Sequence, residues 1–338
     1  MERSGSGIFR RLGVLAFLLL VLVFLSFILM RLGAAPPAVL LGGPDALPDD
    51  VAMLRDDYGL DQPAPIQFVR YVFRIAGGNL GKSWLSGTAV ASDLLDRIPA
   101  TLELMVYGLL LGALAGVPLG YVAAISRQKA EDQMLRMAAL VVEAVPAFVI
   151  ALVLLLVFFR FLDIAPAPTG RISVVLSPPP TITGSYFLDA FLIQDSVGAR
   201  SALAQLVLPV LTLAATVASA LLLTVRNAML AQLATDHYAH ARRQGMSPDM
   251  LARVAFRGAM PAIGLALRSQ VVALLGVTSV VEFVFSWGGI GYYGLDAMVK
   301  ADMAAVQGFI LFAGLFGMVV HGVWLLAGYA RRIRIARA

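Results

Sequence analysis

The chain contains no cysteine and only three histidines, His237, His240 and His321, in 338 residues. The first absence excludes a disulfide framework and any thiolate metal site. The histidines are too few and too scattered to suggest a metal cluster, and no cofactor is implied. Charge is scarce as well: Asp, Glu, Lys and Arg make up 14% of the chain, against 59% hydrophobic residues. A soluble domain carries about a quarter charged residues. So few charges do not cover a water-facing surface, so lipid is the main solvent. No strand-like alternation of about ten residues recurs, as a membrane barrel requires. Neither G-x-S-x-G nor H-E-x-x-H occurs, no paired catalytic constellation is evident, and no enzyme is read here. The net charge of +5 does not gather on one basic face, so no nucleic-acid partner is implied.

What is present is a series of apolar runs near the 20 residues that a helix needs to cross a bilayer. They fall at 8–31, 99–126, 135–161, 203–229, 262–286 and 304–330. The expected fold class is all-α: a polytopic membrane protein with six transmembrane helices. Helices are the required form, because lipid leaves an open backbone without partners. Arg10 and Arg11 precede the first run, and Ala34-Ala35 mimics a signal cleavage site. Gly13 to Met30 is nevertheless unbroken, longer than a signal core of roughly 7–15 residues, which predicts a retained helix.

Cations set the orientation. With the N-terminus inside, Arg3, Arg10, Arg11, Arg127, Lys129 and Arg136 face the cytoplasm. So do Arg226, Arg242, Arg243, Arg253, Arg257, Arg268 and the closing Arg331, Arg332, Arg334 and Arg337. The first outer loop instead collects acids, from Asp45, Asp49 and Asp50 to Asp93 and Asp96. An even number of spans places both termini in the cytoplasm.

The outer stretch 32–98 is too long for a simple connection. It opens with Gly33 to Pro37, then sets Val51, Leu54 and Tyr58, and more loosely Ile66, Val69, Tyr71 and Phe73, at helical spacing. Short helices at the outer surface are expected. In a second outer stretch, 162–202, Pro166, Pro168, Pro178, Pro179 and Pro180 exclude a long helix. Both stretches either shape an entrance or docking surface, or merely cap the spans. Ala76 to Ser83 ends like a phosphate-binding loop. Its first glycine is Ala76 and no strand precedes it, so ATP is not expected to bind there.

The loop after the fourth span runs Thr235-Asp236-His237-Tyr238-Ala239-His240-Ala241-Arg242-Arg243-Gln244-Gly245-Met246-Ser247-Pro248-Asp249 and continues to Pro261. Two short helices joined by a turn are expected. Ala239 and Ala241 permit close packing, Gly245 allows the positive φ that ends a helix, and Ser247 is an N-cap candidate before Pro248. A basic solvated loop that only fixes topology fits these residues equally well.

This loop resembles the cytoplasmic "EAA" loop of ABC importer permeases, in its dipeptide/oligopeptide form D-Y-V-R-T-A-R-A-K-G-L-S. Asp236, Tyr238, Ala241, Arg242, Gly245 and Ser247 match in type and order. His237 is an extra residue, and Ala239 stands where the general motif has glutamate. Four further stretches resemble the same branch in order: Tyr58 to Pro63, Asn79 to Ser83, Arg97 to Leu104 and Glu282 to Gly291, the last with Gly288 in place of the usual proline.

The resemblance implies one transmembrane permease domain over 1–338. Residues 1–31 form its first helix, 32–98 an outer segment and 99–338 a five-helix core with the coupling loop at 231–261. It implies a multi-pass protein of the bacterial inner membrane that moves peptides or peptide-like solutes inward. The expected partners are a second, unlike permease subunit, two ATPase subunits that hydrolyse the ATP, and an external solute-binding protein. Tyr238, Ala241, Arg242, Gly245, Met246 and Ser247 are the expected ATPase-coupling residues. Ionisable groups within spans are functional candidates. Glu143 either faces the translocation pathway or bonds a neighbouring helix, Glu282 is a second pathway candidate of more structural character, and Glu103 sits near the outer boundary. An ion-coupled carrier relaying protons through these glutamates is the alternative, although the two halves show no internal repeat.

Overall fold

The computed structural model describes residues 2–31, 37–43 and 45–337. Gly33, Ala34 and Ala35, singled out above, lie outside the described residues, as do the side chains of Arg3, Arg11 and the four closing arginines. The described chain is helical, with an isolated antiparallel bridge between Lys82 and Ala89. It divides into two compact units, Met1–Ile98 with Ile290–Ala338, and Pro99–Gly289. The first holds α1 (Glu2–Arg31), α2 (Pro37–Gly42), α3 (Pro48–Tyr58) and α4 (Ala64–Ala76), and in it α5 (Val90–Ile125) begins. The second holds the rest of α5, then α6 (Ala130–Ala144), α7 (Ala147–Leu154), α8 (Tyr186–Leu192), α9 (Ser196–Leu233), α10 (Asp236–Arg243) and α11 (Pro248–Val284). Finally α12 (Ile290–Val299) and α13 (Met303–Arg337) belong to the first unit.

In the first unit, α3 and α4 are the short outer helices expected from residue spacing. Each has a proline in its first turn, Pro48 and Pro65, where the missing N–H costs nothing. Val23, Phe27, Tyr71 and Leu311 form one buried cluster; Val90, Leu94, Ile290, Tyr293 and Ala305 belong to another. Buried Asp302 caps α13 by accepting from the Ala305 amide at 3.1 Å, and also accepts a hydrogen bond from the Ser83 hydroxyl. Ser83 therefore closes a structural bond, and no helix opens until Val90, so the phosphate-loop likeness has no phosphate-loop geometry.

In the second unit, α5 presents Gly108, Gly112, Gly116 and Gly120 to α9, one per turn. A β-carbon there would come within 2.6 Å of Leu213 Cβ, 2.5 Å of Val217 Cβ, 2.6 Å of the Ala218 carbonyl and 2.7 Å of the Leu222 carbonyl, respectively. Small residues that let backbones touch are how helices associate where lipid removes the hydrophobic drive. Further along α9, where Val225 still faces Gly120, Val225 and Met229 bury against Ala255, Ala259 and Ile263 of α11. With Leu251, these residues form a buried i, i+4 stripe that continues past Pro261. This corrects the expected loop. Its second helix is not short but the start of a 37-residue helix, because the packed stripe outweighs the proline.

Among the described residues, α5, α9, α11 and Met303–Trp324 of α13 are long and apolar enough to cross a membrane. The apolar stretch Gly13–Leu29 of α1 is shorter. The expected span 135–161 is not one rod: α6 and α7 meet at a 102° bend. Pro146 lacks an amide, and Val145 before it is extended (φ −93°, ψ 123°), the conformation that a following proline favours. Beyond α7 the chain widens into a π-helical turn, Leu155–Phe161.

The proline-rich stretch that follows is irregular, but it ends earlier than expected, with α8 and then α9 from Ser196. It is tied to α5 by Glu103, which accepts from Arg171 at 2.8 Å and from the Ser185 hydroxyl. Arg171 also lies 3.8 Å over the Tyr186 ring. Burial alone would raise the Asp189 carboxyl, but the Thr183 hydroxyl and the amides of Thr183, Ile182 and Gly184 hold it below the usual carboxylate range.

Gly112→Leu is expected to destabilise the chain by about 1–3 kcal/mol or more, because no rotamer removes its β-carbon from Val217. Thermal unfolding in detergent measures this. Gly264→Ala in α11, with no neighbour within 4 Å of the new carbon, is expected to be neutral or to stabilise by up to about 1 kcal/mol.

Candidate functional site

The loop singled out by sequence folds into a short capped helix carried between two long ones. α9 stops at Leu233, and the Thr235 hydroxyl accepts from the Tyr238 amide at 3.4 Å, beginning α10. At its other end the Gly245 amide donates to the Arg242 carbonyl at 3.1 Å, and the Met246 amide to the Ala241 carbonyl at 3.3 Å. This paired pattern needs a left-handed residue, and Gly245 supplies it at φ 83°. Ser247 is extended (φ −63°, ψ 149°) and Pro248 opens α11. Ser247 holds the N-cap position as expected, although its side chain makes no capping bond.

Ala241 is the buried residue of α10, which rests its small face on the ends of α9 and α11. Tyr238, Ala239 and Met246 are half-buried, while His237, His240, Arg242, Arg243, Gly245 and Ser247 are exposed. The six expected coupling residues thus come together on one capped helix and its exit turn. The geometry separates the two roles: Ala241 seats the helix, and Arg242 and Arg243 project from it. Nothing lies within 4 Å of a β-carbon built on Gly245, so the need for glycine is set by backbone conformation, not by crowding.

The membrane acids divide by partner. Glu143, at the end of α6 two residues before the bend, is exposed on one side and accepts from Ser219 of α9 at 2.8 Å. Glu282 is fully buried near the end of α11, its carboxylate against Gly289, where a β-carbon would come within 2.4 Å of Oε1. The adjoining turn is held by the Trp287 amide on the Glu282 carbonyl (2.8 Å) and the indole N–H on the Ala100 carbonyl (3.0 Å). Glu282 is therefore built into the turn. His321 is exposed on α13. Among the described residues, no group of three His, Asp or Glu side chains is placed to hold a metal ion.

One arrangement was not foreseen. Arg226, read as a topology cation, grips Asp132 in the first turn of α6 with two parallel bonds, Nε to Oδ1 at 2.5 Å and Nη2 to Oδ2 at 2.8 Å. The Gln128 amide adds a third bond to Asp132 at 3.2 Å. Such forks are strong and directional. This one locks the start of α6 to α9 two turns before α9 hands over to α10. An acid in the first turn of a predicted helix was the available signal, but its partner lies 94 residues away.

Residues 116–334 match the family described as binding-protein-dependent transport system inner membrane component, and residues 6–105 match the N-terminal part of such membrane components. The chain is 37% identical over 290 residues to the probable D,D-dipeptide transport system permease protein of Escherichia coli (strain K12), covering 84% of each chain. It is 32% identical over 336 residues to the di/tripeptide transport system permease protein of Pseudomonas aeruginosa (strain UCBPP-PA14), covering 98% of this chain and 99% of the relative. To the glutathione transport system permease protein of Salmonella paratyphi A it is 31% identical over 313 residues, 92% of each.

Gly245→Val forces a β-branched residue into the left-handed region, which is expected to cost about 1–2 kcal/mol and loosen the last turn of α10. Amide hydrogen exchange of residues 241–247 should accelerate about tenfold, the equivalent of about 1.4 kcal/mol. Gly245→Asn, a residue that tolerates this conformation, should change it much less.

Proposed function

Because the chain belongs to the family of binding-protein-dependent transport-system inner-membrane components, we propose that it is the permease subunit of an ATP-binding-cassette importer carrying peptides or peptide-like solutes into the cytoplasm. The observation that carries the mechanism is the capped basic helix α10, held between two membrane-length helices within the family-matched region.

In this reading α1, the α6–α7 pair and the four long helices make six spans with both termini cytoplasmic. Residues 1–338 act as one permease domain. Basic residues near 127–136, 226–268 and 331–337 then lie inside, as the cation rule requires. The outer face holds α2 to α4, residues 162–195 and α12.

α10, with Tyr238, Ala241, Arg242, Gly245, Met246 and Ser247, seats in a groove on one of two ATPase subunits. Those subunits, not this chain, hydrolyse ATP. Arg242 and Arg243 are exposed to pair with carboxylates there. Thr235 and the Gly245 turn fix α10 against α9 and α11, so displacement of α10 moves the long helices as bodies. Paired with a second, unlike permease subunit, these bodies rock about a central path between inward- and outward-facing states. An external solute-binding protein delivers cargo to the outer face.

A broken helix at membrane depth persists where it is buried in protein or lines a cavity. Glu143 beside the Pro146 break is thus the favoured candidate to meet a peptide's ammonium. Glu282, enclosed by the turn at Gly289, is the weaker of the two. The permease relatives do not support the ion-coupled carrier.

Proteoliposomes containing the assembled importer, with binding protein and a radiolabelled dipeptide, test this reading. Uptake should require ATP and binding protein. Glu143→Gln should slow it about tenfold, roughly 1.4 kcal/mol of lost stabilisation, with ATPase activity little changed. Wild-type uptake in Glu143→Gln would remove Glu143 from the path. Uptake that persists without ATPase subunits and collapses with the proton gradient would overturn the importer itself.

A further inference from the structure

Within the first unit, α1, α3, α4 and Gln307 of α13 line a partly open cavity of about 170 Å³. Peptide-sized ligands occupy pockets of roughly 300–1,000 Å³, so this one suits a smaller group. Its wall carries Arg31, Arg70 and Arg74, with Gln67 beside them, against one carboxylate, the exposed Asp57. Among the described residues, none of the three arginines is in a salt bridge.

Arg31 and Arg74 are held in place from behind, while Arg70 is exposed. Arg31 lies 3.6 Å over the Phe27 ring and donates to Gln67. The Arg74 guanidinium stacks 3.9 Å over Tyr58 and 5.5 Å from the Tyr71 ring centre, its Nε buried without a hydrogen-bond partner. The Arg70 guanidinium lies over Gly59, where a β-carbon would come within 2.5 Å of Nη1. Burial lowers the Arg74 pKa, the mark of a charge removed from water without an anion beside it. Two positioned cations and the exposed Arg70 around a small cavity present the donor set for a phosphate.

The surroundings point to where that phosphate comes from. α4 packs Phe68, Tyr71, Val72 and Ile75 inward, yet its opposite face exposes Ile66, Val69 and Phe73. Phe73 is 74% exposed. Gln67, Arg70 and Arg74 lie along the flank of α4 between these two apolar faces. Arg31 closes α1 just beyond the apolar stretch Gly13–Leu29, at headgroup height if α1 spans the bilayer. A helix with an exposed apolar stripe and cations on its flank is the form that lies in a membrane interface.

We propose that this cavity binds the phosphate of a phospholipid headgroup in the outer leaflet, with the acyl chains along the Ile66–Val69–Phe73 face of α4. The proposal rests on the membrane orientation of α1 given above. It does not depend on the cargo or on the ATPase.

The test uses the full-length chain in a non-ionic detergent, with phosphatidylglycerol titrated in and retained lipid counted by native mass spectrometry. Wild-type should hold one phosphatidylglycerol at least about tenfold more tightly than the Arg70→Gln/Arg74→Gln variant. Phe73→Ser should also weaken retention. Because Arg70 is exposed, Arg70→Gln alone leaves the packed core untouched and should show a smaller loss in the same direction at unchanged melting temperature. Water-soluble glycerol 3-phosphate should compete poorly. Equal retention by wild-type and the double variant would overturn the site. Competition by glycerol 3-phosphate as strong as by the lipid would overturn the lipid assignment in favour of a free anion. An effect of the variants on binding-protein docking, with lipid retention unchanged, would assign the face to that protein instead. None of these measurements involves transport, so a negative result leaves the importer reading intact.

Discussion

Four glycines of α5, one per turn, let its backbone rest directly on α9, and the second unit is organised around the helix they expose. Apolar side chains in lipid gain nothing by turning toward one another, so contact depends on how closely two backbones fit. With β-carbons absent at Gly108, Gly112, Gly116 and Gly120, α9 is seated against α5 along its whole middle. So seated, it also holds α11 through Val225 and Met229, α6 through Arg226 and Ser219, and α8 near its start. The end of this held helix delivers α10. A coupling element transmits displacement only if the helices it is attached to move as bodies, and the glycine contact makes α5 and α9 one body.

The features legible in the sequence were those written within a turn or two. Gly245, Ser247 and Pro248 announced a left-handed stop followed by a proline start, because those conformations belong to single residues. The outer helices α3 and α4 were legible from the local spacing of their apolar residues. What was missed depended on partners far along the chain. The glycine spacing on α5 went unread, and the helix that meets it lies about 100 residues further on. The Asp132–Arg226 fork joins residues 94 apart, and Arg226 alone reads as a topology signal.

Two errors turned on a proline. Hydropathy summed over 135–161 concealed the break at Pro146, although proline and the extended residue before it are local signals. Pro261 suggested the opposite error, a boundary where the buried stripe from Leu251 to Ile263 runs through without interruption. A proline ends a helix where little else holds it, and only bends to packing where a neighbouring helix does. Glu143 and Glu282 were both pathway candidates, Glu282 the more structural; one stands beside a broken helix and the other is sealed against Gly289.

The central claim is that α10 couples this chain to an ATPase, and the natural absence of cysteine makes it directly accessible. Arg242→Cys places one thiol in the whole chain, on the exposed face of α10. In the assembled importer, paired with single cysteines placed along the ATPase groove, it should form an intersubunit disulfide. The yield should change when nucleotide binds. A thiol that stays freely reactive to water-soluble reagents in the assembled complex, with no cross-link at any groove position, would contradict the account.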